Sequence, residues 1–432
     1  MKKTSENRRA FLKKMTALSG LVIVPRFVIG GNGFVAPSDL LSFGFIGNGR
    51  QAGGLRNQFL KTGLVQVSAA SEVYPDKSKA FIEGVNKFYA EKSEQQSYNG
   101  VKTYGDFREL LAQKDVDAVV IATPDHWHGV QAVKALEAGK DVYCEKPLAL
   151  TVKEGRAMVE ATRKNKRVFQ TGSMQRSWPE FRQTAELIRN GYIGDVHTVK
   201  VSVGGPPVPY DLPGQPIPDG LNWDMWLGPN AFANFNSDIA PPLTAEFWPK
   251  WRNYKEFGGG GMTDWGAHMF DIVQWALDKD SSGPIEVIPP DGKDVKFLTY
   301  RYDNGIIMTH ENFGWENAIQ FIGTKGTLNV QRRKLETSDP LLKDKVIGDN
   351  EKKVYFSDNH YMDFLNAIKT RKDPICDVEI GHRTATVCTI GNIAYELKRP
   401  LRWNPKKEKF KKDPEANAKL SRTLRQEWRI KL

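Results

Sequence analysis

Asp264 and His268 stand four residues apart in the segment DWGAHMFD, directly behind four consecutive glycines at 258–261. On a helix, residues i and i+4 share a face, so this carboxylate and this imidazole are expected to point into one space. An Asp at a helix start also serves as an ordinary N-cap, and the two roles are compatible. The His has no such structural excuse, and an imidazole ionises in the range that suits a proton acceptor near neutrality. A second chemical signal lies near the start of the chain. Gly47-Asn48-Gly49-Arg50-Gln51-Ala52 is a G-x-G-x-x-A turn between an apolar run at 40–46 and a helical pattern. Its glycines let the backbone approach a pyrophosphate, and the following helix N-terminus supplies amides and positive dipole. Glu72 ends the next apolar strand, LVQVSAAS, 25 residues beyond Gly47, where a carboxylate binds the adenosine ribose. An acid there disfavours the extra phosphate of NADP, so NAD is the expected cofactor. A solvated strand-end Glu is the plain alternative.

The elements that must hold these groups alternate strand and helix. DAVVIAT runs into PDHWHGVQAVKALEAGK, whose apolar positions face one side and which stops at Gly139; DVYCEKP follows. Strands buried on both faces and separated by helices predict a doubly wound α/β domain over residues 38–165. Ligands in such sheets sit outside the strand C-termini, which brings Thr123, Pro124, Asp125, His128, Glu145 and Lys146 to the same crevice as the glycine turn. Residues 166–403 read as an α+β domain with an open, mostly antiparallel sheet. Its hairpin signal is Asp303-Asn304-Gly305, and late helices lie at SDNHYMDFLNAIK and GHRTATVCTIGNIAYELKR. Between the halves, Trp223, Trp226, Trp248, Trp251 and Tyr254 occupy proline- and glycine-rich loops. Aromatic faces beside polar groups suit stacking on a sugar, although such rings also pack loops onto a domain.

Charge and the chain ends bound the rest. The formal charge of +11 is concentrated outside the body: residues 1–14 carry six Lys or Arg against one Glu, and residues 398–432 carry thirteen basic residues against four acidic ones. The basic character therefore does not mark a nucleic-acid surface. NRRAFLKKMTALSGLVIVPR resembles a twin-arginine export signal over residues 1–37, with Arg8 and Arg9 as the pair. Its apolar run is too short to span a membrane and Pro25 ends it, so periplasmic localisation without stable membrane insertion is expected. Residues 404–432 read as a basic C-terminal tail. Three scattered cysteines give neither a disulfide framework nor a CxxC metal site. The spacing of His126, His128 and His268 favours no metal.

ATPDHWH followed by AGKDVYCEKPLAL resembles the Gfo/Idh/MocA oxidoreductases, the group of glucose-fructose oxidoreductase and inositol dehydrogenase. GDVHTVKVSVG and GGGGMTDWGAHMFD match later landmarks of that family in the same order, so the resemblance runs from about residue 40 to ELKRPLRWN. Asp125 departs from it, since the family usually has Asn there. The resemblance implies a Rossmann domain binding NAD, a homodimer or homotetramer, and hydride transfer at a hydroxyl of a small carbohydrate, glycoside or cyclitol. It further implies that Lys146 polarises the substrate oxygen, that His268 takes the proton and that Asp264 orients substrate or imidazole. Arg176, Trp178, Trp251 and Tyr254 are candidate substrate contacts, and Gly47, Asn48, Gly49, Arg50, Gln51 and Glu72 candidate cofactor contacts. Export of folded protein would demand a cofactor loaded beforehand and held tightly, with ping-pong turnover. Two alternatives share the fold: a glycosidase using NAD transiently, from which the intact Glu145-Lys146-Pro147 departs, and a non-catalytic sugar or nucleotide sensor.

Overall fold

The computed structural model describes residues 39–93 and 100–431; the segment read as an export signal lies outside the described residues. The first sheet comprises β1 (Leu41–Ile46), β2 (Val65–Ser71), β3 (Lys102–Tyr104), β4 (Ala118–Ile121), β5 (Asp141–Cys144) and β6 (Phe169–Thr171). They alternate with α1 (Arg50–Lys61), α2 (Pro75–Ser93), α3 (Phe107–Leu111), α4 (Asp125–Glu137) and α5 (Val152–Asn165). All neighbours are parallel, in the order β3-β2-β1-β4-β5-β6. Every residue of β4 and β5 is buried, as strands covered on both faces must be. The order reverses between β1 and β4, and a crevice opens at their C-terminal ends. This is the expected doubly wound domain, and its last strand, β6, lies just past residue 165.

The second half contains α6 (Pro179–Arg189), β7 (Val196–Ser202), α7 (Trp223–Leu227), α8 (Gly261–Asp264), α9 (Gly266–Ala276), β8 (Glu286–Ile288), β9 (Leu298–Arg301), β10 (Ile307–His310), β11 (Ala318–Gly323), β12 (Thr327–Gln331), β13 (Lys334–Thr337), α10 (His360–Thr370) and α11 (Val378–Leu397). The chain ends with β14 (Leu401–Asn404), β15 (Lys409–Phe410) and α12 (Pro414–Ala418). A nine-stranded sheet runs β13-β12-β11-β7-β10-β9-β8-β14-β15, antiparallel except for the β7–β10 pair. Asp303-Asn304-Gly305 does turn a hairpin, between β9 and β10, with Gly305 at φ +86° where a side chain would be strained. Helices α6, α9 and α11 cover one face, and their core includes Phe270, Tyr300, Val201, Ile319 and Cys388. On β7 the buried Val199 and Val201 alternate with half-buried Thr198 and Lys200, so the other face is polar.

The domains are bound together by more than one crossing. Helix α10 reaches back to the first sheet, where Phe364 packs edge-on against Phe43 and Phe59. The basic C-terminal segment is folded rather than a loose tail. Trp428 is buried against Trp127 and Phe107, and Arg422 donates to Glu154. Arg425 binds the carboxylate and carbonyl of Asp224. Part of the positive charge at this end is taken up by these pairs and by Arg399 with Asp413 and Glu415.

Candidate active site

The glycine turn is fixed by geometry that only glycine allows at its first position. Gly47 has φ +82°, and a Cβ there would lie 2.8 Å from Thr123 Cγ2 and 2.9 Å from the Thr123 nitrogen. Glu72 then clasps the turn. Its Oε2 accepts from the Asn48 amide at 2.7 Å, and its Oε1 accepts from the amides of Val73 at 2.9 Å and Tyr74 at 3.1 Å. Gly49 caps α1 without a side-chain bond, the first turn of α1 holds no acid, and a Cβ at Gly49 would meet nothing within 4 Å. The first amides of α1 therefore face open room beside a rigid turn, which fits the pyrophosphate of a dinucleotide. Gly47, Gly49, Gln51 and Glu72 would hold it, with Thr123, Pro124 and Asp125 further along the strand ends.

These groups line one cavity of about 590 Å³, a size that suits small-molecule ligands. The strand order spreads them across it: Glu72 after β2, Gly47 after β1, Thr123 to Asp125 after β4, then Glu145 and Lys146 after β5. Asp264, His268, Trp251 and Arg252 close the far end from the second domain. Above the turn, Arg50, expected at the cofactor, lines the cavity, and its guanidinium also donates to the carbonyls of Phe247 and Leu243. It thereby clamps the proline-rich 241–249 loop over the cavity, with Trp248 half in solvent.

At the far end, Lys146 Nζ donates to Asp264 twice, to the carboxylate Oδ1 at 2.7 Å and to the backbone oxygen at 2.8 Å. The second bond corrects the single-helix expectation. Helix α8 stops at Asp264 and α9 restarts at Gly266, and the His268 amide donates to Trp265 O at 3.0 Å. The lysine takes the carbonyl that a continuous helix would have used. Asp264 and His268 still line the same cavity. An ammonium has three donors, and Asp264 uses two.

Burial tunes the charges here. Although burial alone raises the Asp264 carboxyl, the charges of Lys146 and Arg252, the latter 3.5 Å away, hold it below the usual carboxylate range. Burial holds His268 well below the usual imidazole range, reinforced by Lys146, Arg332 and His360, so its ring is neutral near pH 7. The Asp125 carboxyl is pushed well above its usual value by burial and by repulsion from Asp264. Burial also raises Glu145, whose Oε1 accepts from Gln51 at 2.9 Å.

Several expected contacts fall elsewhere. Arg176 is 1% exposed and forks onto Asp271 and Asp280, pinning a 3₁₀ turn to α9 away from the cavity. Trp178 and Tyr254 do not line it either: Trp178 packs on the second core, and Tyr254 meets Tyr210 edge-on in a loop cluster. Trp223 stacks on Trp226 at 4.6 Å, so it serves packing, while Trp226, Trp248 and Trp251 reach the cavity. His128 is buried behind the wall, with Nδ1 2.8 Å from Pro147 O and Nε2 3.0 Å from Thr123 O; it ties the β4 and β5 ends together. Asn48 is buried, and its side-chain amide has no partner among the described residues. Sequence reasoning missed Lys77, Gln131, Arg252 and Arg332, all of which line the cavity. Gln131 was within reach, being two helical turns from Pro124 on α4, and it accepts from Thr123 Oγ1 at 2.7 Å. Arg332 sits in a hairpin turn with no motif around it.

Comparison with known proteins agrees with this geometry. The family model described as an oxidoreductase family NAD-binding Rossmann fold matches residues 41–173, and the one described as an oxidoreductase family C-terminal alpha/beta domain matches residues 208–430. Myo-inositol 2-dehydrogenase of Thermotoga maritima is 24% identical over 284 residues, which cover 62% of this chain and 72% of that one. Among solved structures, the WlbA dehydrogenase of Bordetella pertussis in complex with NADH and UDP-GlcNAcA is similar at a TM-score of 0.59 and 17% identity, covering 84% of this chain and 98% of that chain. The aldose-aldose oxidoreductase of Caulobacter crescentus complexed with glycerol has a TM-score of 0.57 at 19% identity, covering 84% and 99%. At these identities the solved structures speak to the fold alone. The two family models together span most of the chain, and the protein belongs to the Gfo/Idh/MocA oxidoreductase family, with an NAD-binding N-terminal domain.

Proposed function

We propose that the protein is an NAD-dependent dehydrogenase acting on a secondary hydroxyl of a sugar, glycoside or cyclitol. One observation carries this reading: Lys146, anchored twice on Asp264, shares with the neutral His268 the end of the cavity that the strand order places beyond the glycine turn. The third N–H of Lys146 is left to bind and polarise the substrate oxygen. His268 accepts the hydroxyl proton, which burial and neighbouring cations leave it free to do near neutral pH. Asp264 fixes the lysine and is itself steadied by Arg252. When bound in the crevice, NAD supplies the acceptor for the carbinol hydrogen, which leaves with its electron pair. Trp226, Trp248 and Trp251 offer apolar faces for the ring of a sugar. The relative named for a myo-inositol substrate supports a polyol as the substrate class.

The finer parts of the reading are that NAD is preferred over NADP, that the cofactor is loaded before twin-arginine export to the periplasm, and that it is held through ping-pong turnover. Glu72 supports the first, because its carboxylate lines the cavity after β2, where the sequence spacing leads one to expect a ribose contact. Dimer or tetramer contacts would use the polar face of the nine-stranded sheet. The experiment is direct: purified protein is mixed with a panel of hexoses, hexuronates, glycosides and cyclitols while the NADH absorbance band is followed. A rise with at least one of them is expected. No reduction across the panel, with or without added NAD, would contradict the proposal.

A further inference from the structure

The charge at the reacting end of the cavity is not balanced. Three cations line it, Lys146, Arg252 and Arg332. Lys146 and Arg252 share Asp264 at 2.7 and 3.5 Å. Burial raises Glu145, which accepts from Gln51, and pushes Asp125 well above the usual carboxylate range, so at most two ionised carboxylates face the three cations. Arg332 forms no ion pair with any described residue. Its Nε donates to Gln175 Oε1 at 2.9 Å, which leaves both terminal nitrogens without an acceptor among the described residues.

The arginine is also held in place. It occupies the two-residue turn between β12 and β13, whose strands pair from Gln331 with Lys334. The next residue, Arg333, has φ +62°, and its amide donates to Glu180 Oε1 at 2.7 Å. The guanidinium lies over the Trp265 ring at 4.5 Å and over Trp178 at 5.3 Å. Trp265 in turn meets His268 edge-on at 5.8 Å. A planar cation with one edge tied, its faces on indoles and its remaining donors free is preorganised for bidentate recognition of an oxyanion.

We propose that Arg332 is a specificity-determining residue that receives an anionic substituent of the substrate, a carboxylate or a phosphate ester, next to the hydroxyl handled by Lys146 and His268. The substrate class is then an acidic sugar rather than a neutral one. This rests on the dehydrogenase reading above. In that arrangement Arg332 fixes the ring by its acidic group, and Arg252 stays on Asp264.

The test uses the NAD-loaded full-length protein and three sets of probes: glucuronate, galacturonate and their methyl glycosides; the parent hexoses and methyl hexosides; and the hexose 6-phosphates. Binding is measured by tryptophan fluorescence and turnover by NADH formation. At least one acidic set is expected to bind about 10- to 100-fold tighter than its neutral parent, the range of one charge-assisted bidentate contact. Arg332→Gln is expected to collapse that ratio toward one, and Arg332→Lys, which keeps charge but loses the fork, to retain part of it. Preference for the uronates assigns a carboxylate, and preference for the phosphates a phosphate ester. Acidic binding that is selective but silent in turnover would sink the dehydrogenase reading and leave this subsite standing. Equal or tighter binding of the neutral sugars, no binding of any acidic probe, or an acidic preference that survives Arg332→Gln would each overturn it.

Discussion

Replacing Lys146 by Met removes the ammonium while keeping most of the side-chain volume, and the structure gives its effect two separate signatures. The first is the rate. A cation about 4 Å from a developing alkoxide, at an effective dielectric of about 20, is worth roughly 4 kcal/mol, or about three decades in rate. Arg252 remains near Asp264 and offsets a little of this, so kcat/KM should fall by roughly two to four orders of magnitude. The second is the pH profile. After burial, the charge of Lys146 does most to depress His268, so removing it lets the imidazole pKa rise toward its ordinary value. A base must be unprotonated, so the acid limb of kcat/KM in Lys146→Met should move to higher pH than in the wild type, whose limb lies below pH 6.5. The assay is initial-rate NADH formation from about pH 4 to 9 on protein shown by circular dichroism to be folded. A loss of less than tenfold, or a limb that does not move, would refute the coupling of lysine, acid and histidine.

Four further outcomes follow from the structure. Glu72→Ala should weaken NAD binding and narrow its advantage over NADP in calorimetric titration; because the carboxylate also holds three backbone amides, it should cost roughly 1–3 kcal/mol of stability as well. His128 is buried with its pKa lowered to about 4, so the unfolded chain binds its proton first as pH drops below about 6.5, and stability is lost between that pH and about 4; His128→Gln should flatten the urea-unfolding slope there by about one proton, roughly 1.4 kcal/mol per pH unit. Trp428→Ala should lower unfolding free energy by about 3–5 kcal/mol and hasten loss of bound cofactor on gel filtration, since the C-terminal segment buttresses helix α7, which carries Met225 and Trp226. Changing Arg8 and Arg9 to Lys should trap active, NAD-containing protein in the cytoplasm; wild-type protein found only in the cytosol on fractionation would count against export.

The residues legible in the sequence were those whose chemistry is local. Gly47, Gly49 and Glu72 announce themselves by spacing around one strand–turn–helix unit, and buried strands such as AVVI and DVYC order the crevice without further information. Lys146 could be placed by its strand end and the Asp264–His268 pair by its four-residue spacing, while their roles were implied by the family resemblance. What failed depended on partners far away in the chain. Arg176 looked free, and it is spent on Asp271 and Asp280, about 100 residues on. Arg50 does line the cavity, but its hold on the 241–249 loop depends on carbonyls nearly 200 residues later. The helix break at Trp265 could not be seen, because a lysine 118 residues upstream takes the carbonyl. The basic tail gave no sign of its partners for the same reason: Arg422 and Arg425 meet Glu154 and Asp224 only once both domains are folded.

The central claim is that a hydroxyl proton passes to His268 beside Lys146 while the carbinol hydrogen reduces NAD in the same cavity. Stopped-flow absorbance at the NADH band, with the best probe of the sugar panel in a single turnover, tests it most directly when wild type and His268→Asn are compared at pH 7 and again near pH 9. Rapid reduction by the wild type is expected, with a loss of about two to four orders of magnitude in the variant and partial restoration by hydroxide at the higher pH. Equal reduction rates in the two proteins at pH 7 would contradict it.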